Sequence, residues 1–356
     1  MLKKQILIYR LGSLGDTVVA LPAFNVIRKH FGEGTFSLLT NKPIASKAAP
    51  IESVLGPDFF REVIDYPVGL RNPANLLGLS RRIRSGNFDV LVNLSAARGR
   101  LNAWRDSFFF RFSGIKRVVG TPRNKSDFTV SRNENSGLYE NETLRLLRRV
   151  APLGSADLAD SSTWDLKIAA VERAAAESAL PVYPAPTIAL CFGTKMQAKD
   201  WEIPNWQQLV KRLGAALPAW RLAVVGSADE SERAERCAAD WPGTVVNLCG
   251  RVSPRESAAV LEKCAIFVGH DSGPMHLASA VGTPCVAIFS ARNLPGQWFP
   301  ARPGHTIIYH KTDCFGCGLE TCIAEKKRCI MSITVDEVFG AAIQIIKGKN
   351  LTFSSC

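Results

Sequence analysis

The sequence has no apolar run near the roughly 20 residues that span a bilayer. A membrane-embedded chain is therefore not expected. A secretory leader is not expected either. The apolar run in "MLKKQILIYRLGSLGD" is too short, and an acidic glycine loop follows it at once. The expectation is a soluble, cytoplasmic protein. In that compartment ten cysteines read as thiols or metal ligands rather than a disulfide framework. Nothing in the composition is collagen-like or disordered. No internal repeat is evident and no nucleic-acid motif is present, so a nucleic-acid partner is not expected despite the net charge of +12.

Carboxylates are scarce in only one half. Residues 1–150 carry 12 Asp+Glu against 24 Lys+Arg, while residues 151–356 carry 20 of each. The whole positive excess belongs to the first half. Random scatter is one reading; a surface for an anionic partner is the other.

A chain of 356 residues with 46% hydrophobic content suits two domains with ample cores. "KKQILIYR", "TFSLLTN", "FREVIDYP" and "FDVLVNLS" read as strands. "DTVVALPAFNVIRKHF" and "LLGLSRRIRSG" read as helices between them. The polar stretch 121–140 reads as loops. "PVYPAPTIALCFG" marks a boundary, and the alternation restarts with "WRLAVVGS", "VVNLCG", "IFVG" and "CVAIFS". Strands alternating with helices predict parallel sheets covered on both faces. In "SPRE", Ser253, Pro254 and Glu256 predict a capped helix start. A last helix, "TVDEVFGAAIQIIKG", is able to return to the first domain.

Three segments carry chemistry. "YRLGSLGD" places a glycine loop, with Gly12, Ser13 and Gly15, after the first strand. Nucleotide-binding folds put a phosphate loop there, yet this one holds Asp16. "VGHDSGPMHLASAVGTP" predicts a strand end, a turn at Asp271, Ser272 and Gly273, and a helix stopped at Gly282. Unpaired N–H groups at such a helix start favour a phosphate or diphosphate, with His276 as an added donor. A well-capped helix with a core histidine is the plainer alternative. "CFGTKMQAKDW" adds a cationic loop with Thr194, Lys195 and Lys199. Two such loops in one domain suit a nucleoside diphosphate; a solvated lysine loop is the plainer reading.

In this order, "ILIYRLGSLGDTVVALPA", "FGTKMQAKDWEIPNWQQL" and "VGHDSGPMHLASAVGTPCVAIFS" with a later "WFP" resemble the ADP-heptose:lipopolysaccharide heptosyltransferases, glycosyltransferase family 9. The resemblance runs from residue 5 to about 340. It implies an α/β GT-B fold, with two Rossmann-like, doubly wound parallel-sheet domains facing a central cleft. Residues 1–180 would bind the acceptor and 181–330 the nucleotide sugar. Residues 331–356 would form a helix and tail that can pack back on the first domain. The implied reaction is inverting transfer of heptose from ADP-heptose to a lipopolysaccharide inner core, Kdo-lipid A or a heptosylated core. Another nucleotide sugar or acceptor, or a non-catalytic glycolipid-binding protein, are the alternatives. The implied partners are a nucleotide-sugar donor, an anionic glycolipid acceptor and, transiently, the cytoplasmic face of the inner membrane, met by a monomer. Asp16 matches the family's proposed base; capping the next helix is its plainer role. Lys199 matches the phosphate-contacting lysine, with Thr194 and Lys195 beside it. Asp271, Ser272, Gly273, Met275 and His276 match the diphosphate-binding helix start, and Glu230 the ribose carboxylate, with a solvated surface glutamate as the equal alternative.

No cofactor is required by that chemistry, and no Asp-X-Asp pair is present to hold a metal against a diphosphate. Cys314, Cys317, Cys322 and Cys329 are spaced to hold a structural zinc or iron–sulfur group, or to be thiols or local disulfides. The other six cysteines read mostly as core. The stretch 98–117, "RGRLNAWRDSFFFRFSGIKR", reads first as a core helix with a basic outer face, and second as an interfacial surface.

Overall fold

The computed structural model describes residues 3–41, 50–67, 72–96, 99–122 and 125–348. The chain divides into two units, residues 1–164 and 165–356.

The first unit runs β1 (Gln5–Tyr9), α1 (Leu14–Val19), α2 (Leu21–Phe31), β2 (Thr35–Asn41), α3 (Glu52–Leu55), β3 (Glu62–Tyr66), α4 (Pro73–Ser85), β4 (Val90–Asn93), α5 (Arg100–Phe112), β5 (Arg117–Val119), α6 (Lys125–Phe128) and α7 (Glu142–Val150). Its five strands lie in the order β3-β2-β1-β4-β5, all parallel. Ile6 pairs with Phe36 on one side and Val90 on the other. The chain winds outward from β1 first through β2 and β3, then through β4 and β5. The loop after β1 therefore opens at the point where winding reverses, the usual ligand position in such sheets. The single helix expected over 16–31 is two. Ala20 ends α1 and Pro22, which has no N–H to donate, occupies the first turn of α2.

The second unit runs α8 (Ala170–Ala179), β6 (Thr187–Cys191), α9 (Ile203–Ala216), β7 (Arg221–Val224), α10 (Ser231–Ala238), β8 (Val245–Asn247), α11 (Pro254–Glu262), β9 (Ile266–His270), α12 (Gly273–Ala280), β10 (Cys285–Phe289), β11 (Thr306–Tyr309), α13 (Arg328–Met331) and α14 (Val335–Gly348). The order is β11-β10-β9-β6-β7-β8, again all parallel. Winding reverses between β6 and β9. The expected cap on α11 forms in full: Ser253 Oγ accepts from Glu256 N, and Glu256 Oε2 accepts from Ser253 N at 2.7 Å.

Two expectations about domain limits change. The division falls at 164/165 rather than 180/181. The reason is a guanidinium clamp: Arg255 of α11 bonds the Glu172 carboxylate of α8 at 2.5 and 2.8 Å and the Leu166 carbonyl at 2.8 Å. This clamp fixes the stretch from Leu166 through α8 to the second unit. The final helix also belongs there. Val335, Val338, Ala342 and Ile346 of α14 are buried in the core that holds Trp201, Trp206 and Ile308. Residues 349–356 of the expected tail, including Cys356, lie outside the described residues. No helix among the described residues is long and apolar enough to cross a membrane.

Candidate functional site

The neighbouring carboxyl ends of β6 and β9 bring two predicted loops together. From β9 comes Asp271, then Ser272 as the residue before α12, whose first two positions are Gly273 and Pro274. The first N–H groups of this helix have no partner within it. Gly282 follows with φ of +84°, the stop expected there. From β6 comes the loop 192–201, which ends in a short turn at Gln197–Lys199. The two loops meet in an ion pair. Lys199 Nζ donates to Asp271 Oδ2 at 2.6 Å and to the Asp271 carbonyl at 3.1 Å. Burial alone would raise the Asp271 pKa, but the Lys199 ammonium and His276 hold the carboxyl well below the usual carboxylate range. His276 Nε2 lies 3.6 Å from its other oxygen.

Glu230 lies in the turn after β7, the strand next to β6. Its carboxylate caps that turn, accepting from Ser227 N at 2.9 Å. It also lies directly against Gly193: a Cβ there would stand 2.0 Å from Glu230 Cδ and Oε1. The carboxylate thus spans the ends of β6 and β7, where nucleotide-binding sheets place the residue that meets ribose hydroxyls. Of the other predicted residues, Thr194 is half-buried and Lys195 exposed on the same loop, and Ser272 Oγ lies 3.9 Å from Cys191 Sγ. Met275 is fully buried, so only its backbone N–H is available to a ligand.

The motif "VGHDSG" hid a further residue, His270. It is fully buried, and burial pushes its pKa down to about 4, so the ring is neutral. A neutral ring has one donor and one acceptor. Trp201 N–H donates to Nε2 at 3.1 Å, which leaves Nδ1 to donate to the Gly193 carbonyl at 3.2 Å. One side chain of β9 thereby pins both ends of the loop that carries Thr194, Lys195 and Lys199. Its signal was a histidine at the end of an otherwise apolar strand.

The outer side of that loop rests on the cysteine-bearing segment. Ala198 N donates to the Glu320 carbonyl, Cys322 N to Gln197 Oε1, and buried Lys327 to the Asp200 carbonyl and Glu202. The four clustered cysteines are free thiols. Among the described residues no group of three or more His, Cys, Asp or Glu is placed to hold a metal ion. The four thiols do not form a metal cage in this arrangement. The segment spends its backbone elsewhere, Gly316 N and Gly318 N reaching the carbonyls of Ala291 and Arg292, while Cys317 is exposed. The expectation of core for the remaining cysteines holds for the five that are described. All five are buried, and burial pushes the thiols of Cys191, Cys249 and Cys264 up to about 12.

In the first unit the opening loop is built around two residues. Gly12 has φ of +130°, and a Cβ on it would meet Asp16 Cβ at 2.4 Å. Only glycine lets the Asp16 side chain fold back over the turn. Asp16 Oδ2 accepts from Ser13 N at 2.8 Å and Ser13 Oγ at 3.2 Å, capping α1, while Oδ1 has no partner among the described residues. Gly15 is inside α1. The second residue is Arg10, which sequence reasoning missed. Its buried guanidinium donates to the Asp16 carbonyl and the Leu94 carbonyl, each at 2.7 Å, and approaches Glu142 of α7. Glu142 in turn binds Arg145 at 2.7 and 2.8 Å. Arg10 ties the loops after β1 and β4 to each other. An arginine directly after a buried strand was the available signal.

Residues 76–328 match the profile of glycosyltransferase family 9 (heptosyltransferase). Lipopolysaccharide heptosyltransferase 3 of Escherichia coli is 20% identical over 287 residues, 78% of this chain and 81% of that protein. Among solved structures, the family 9 glycosyl transferase from Veillonella parvula DSM 2008 superposes with a TM-score of 0.69 at 16% identity, covering 98% of this chain and 99% of that one. E. coli heptosyltransferase WaaC with ADP gives 0.64 at 16% identity, covering 97% and 99%. The bacterial iron-containing dodecameric glycosyltransferase TibC from enterotoxigenic E. coli H10407 gives 0.52 at 13% identity, covering 98% and 78%. These likenesses establish the GT-B fold, two parallel-sheet α/β units in one chain.

Proposed function

The chain belongs to glycosyltransferase family 9 and is a glycosyltransferase, and from that premise we propose that it transfers heptose from ADP-heptose to a lipopolysaccharide inner core with inversion at the anomeric carbon. The observation that carries this reading is the Lys199–Asp271 pair at the start of α12, with Glu230 against Gly193 on the loop that carries Lys199. The diphosphate would lie against the free N–H groups of α12, with Lys199, Lys195 and Thr194 facing it and Glu230 taking the ribose hydroxyls. The acceptor would be an anionic, lipid-anchored sugar, bound by the basic first unit of a monomer at the cytoplasmic face of the inner membrane.

In the reaction the acceptor hydroxyl oxygen attacks the anomeric carbon from the face opposite ADP. The bond from that carbon to the phosphate oxygen breaks, and its electron pair stays on the diphosphate. Lys199 and the helix start stabilise that growing charge, a contribution typically on the order of 10²–10³ in rate per preorganised donor. Asp16 takes the acceptor proton through Oδ1, its Oδ2 being held by Ser13.

The test is a panel of nucleotide sugars with native lipid acceptors, reading sugar transfer and nucleotide release together. Acceptor-dependent ADP release from ADP-heptose is the expected result. Asp16→Asn is expected to abolish transfer while ADP binding and folding persist. Near-normal turnover in that variant would remove Asp16 from the base role. Donor binding with no transfer to any acceptor would favour a glycolipid-binding protein instead.

A further inference from the structure

The helix α5 does not behave as the core helix its aromatic content suggests. Of its 13 residues only Phe110 is buried. Leu101, Trp104, Phe108 and Phe112 are 84, 71, 63 and 51% exposed. Their spacing of three, four and four puts them on one face. Trp104 and Phe108 stack on each other, ring centroids 6.0 Å apart, rather than turning inward. A continuous stripe of large apolar side chains left in water is uncommon on a soluble protein and marks a contact surface.

The surroundings of the stripe are cationic. Along one side runs a groove of about 870 Å³ lined by Arg100, Arg111, Lys116, Arg117, Trp104 and Phe128, with no carboxylate among its lining residues. At the end of the stripe the Arg84 guanidinium lies 5.8 Å from the centre of the Phe112 ring. The acid on α5, Asp106, is neutralised by Arg105 at 2.8 Å. An apolar face edged by Arg and Lys is the pattern of a helix that lies in a membrane interface, its rings among the acyl chains and its cations at anionic headgroups.

We propose that the exposed face of α5 and the cationic groove beside it dock the first unit on an anionic phospholipid surface. Trp104 and Phe108 enter the interface, while Arg100, Arg111, Lys116 and Arg117 hold lipid phosphates. The inference takes its setting from the lipid-anchored acceptor proposed above. Vesicle binding needs neither donor nor acceptor, however, so either proposal can fail alone.

The experiment is flotation of the full chain with vesicles of phosphatidylcholine, with and without phosphatidylglycerol, and with brominated lipid as a fluorescence quencher. Of the seven tryptophans Trp104 alone is exposed, so quenching reports its insertion. Binding to phosphatidylglycerol vesicles, salt-sensitive and weak on neutral ones, is expected, with quenching that disappears in Trp104→Phe. Arg111→Gln and Lys116→Gln should each weaken partition about fivefold. Trp104→Ser with Phe108→Ser should weaken it on the order of tenfold or more. All four positions are exposed, and a matched melting temperature confirms that each variant is folded. Absence of vesicle binding by the wild type, equal binding to neutral and anionic vesicles, or no quenching would overturn the proposal. So would concentration-dependent self-association abolished by Trp104→Ser, which would make the face a contact between copies of the chain.

Discussion

Replacing Lys199 by Met separates the two things the Lys199–Asp271 pair is expected to do. Both side chains are nearly buried, 14 and 8% exposed. Loss of the ammonium leaves Asp271 with only His276 nearby, at 3.6 Å. Breaking one side of a buried pair costs about 3–5 kcal/mol, because the remaining charge is left uncompensated. In the wild type the Asp271 carboxyl is depressed, so its stabilisation is present above the unfolded pKa near 3.9 and is lost only as pH falls through the lower folded value. In Lys199→Met only His276 still opposes burial, so the folded carboxyl titrates higher than in the wild type. The stability that the wild type gains from this group above the unfolded pKa should shrink, and the variant should lose less stability than the wild type as pH falls from about 7 towards 3. The decisive assay is ADP affinity by calorimetry in Lys199→Met, Asp271→Asn and the double variant. If Lys199 meets the diphosphate, Lys199→Met should lose at least tenfold in affinity. Asp271→Asn, which frees the ammonium, should lose little, and the double variant should remain weak. If the pair only holds two loops together, removing both charges should restore binding. Recovery of wild-type ADP affinity in the double variant would refute the diphosphate role of Lys199.

His270→Gln keeps an acceptor for Trp201 N–H but cannot titrate. Since burial holds His270 near 4, the unfolded state alone takes up its proton between about pH 6.5 and pH 4. Wild-type stability should fall through that window by about 1.4 kcal/mol per pH unit from this group. His305 behaves alike, so the measurement is the difference in urea midpoints between wild type and variant at pH 7 and pH 5. An unchanged pH dependence would count against a neutral, buried ring. Gly193→Ala would place a methyl group 2.0 Å from the Glu230 carboxylate and so displace it. It should weaken ADP binding about tenfold and leave the binding of pyrophosphate, which has no ribose, little affected; equal loss for both would take Glu230 off the ribose.

What was legible in the sequence and what was not divides along a physical line. Strands with four or more apolar residues between turn signals were readable, as were both loops at the reversal of the second sheet, because each depends on local pattern. The strands β5 and β11 were not. The first is three residues beginning at Arg117 and the second is an edge strand at "TIIY"; each exists because a neighbour offers its ladder. The ion pairs were illegible for the same reason. Lys199 and Asp271 were each named, but 72 residues of chain separate them, and nothing local says that they touch. Arg10 and His270 were overlooked as single polar residues beside apolar strands. A buried polar side chain is costly unless its hydrogen bonds are met, so at a strand end it signals that the backbone of another loop must be within reach. Arg10 reaches the loop after β4, and His270 the loop after β6. In both units the polar residue at or just past a central strand's carboxyl end locks the neighbouring loop, and the proposed base and the proposed phosphate contact each stand on a loop held in that way. A variant of either lock should therefore change ligand affinity more than it changes the melting temperature, although neither side chain is proposed to touch a ligand.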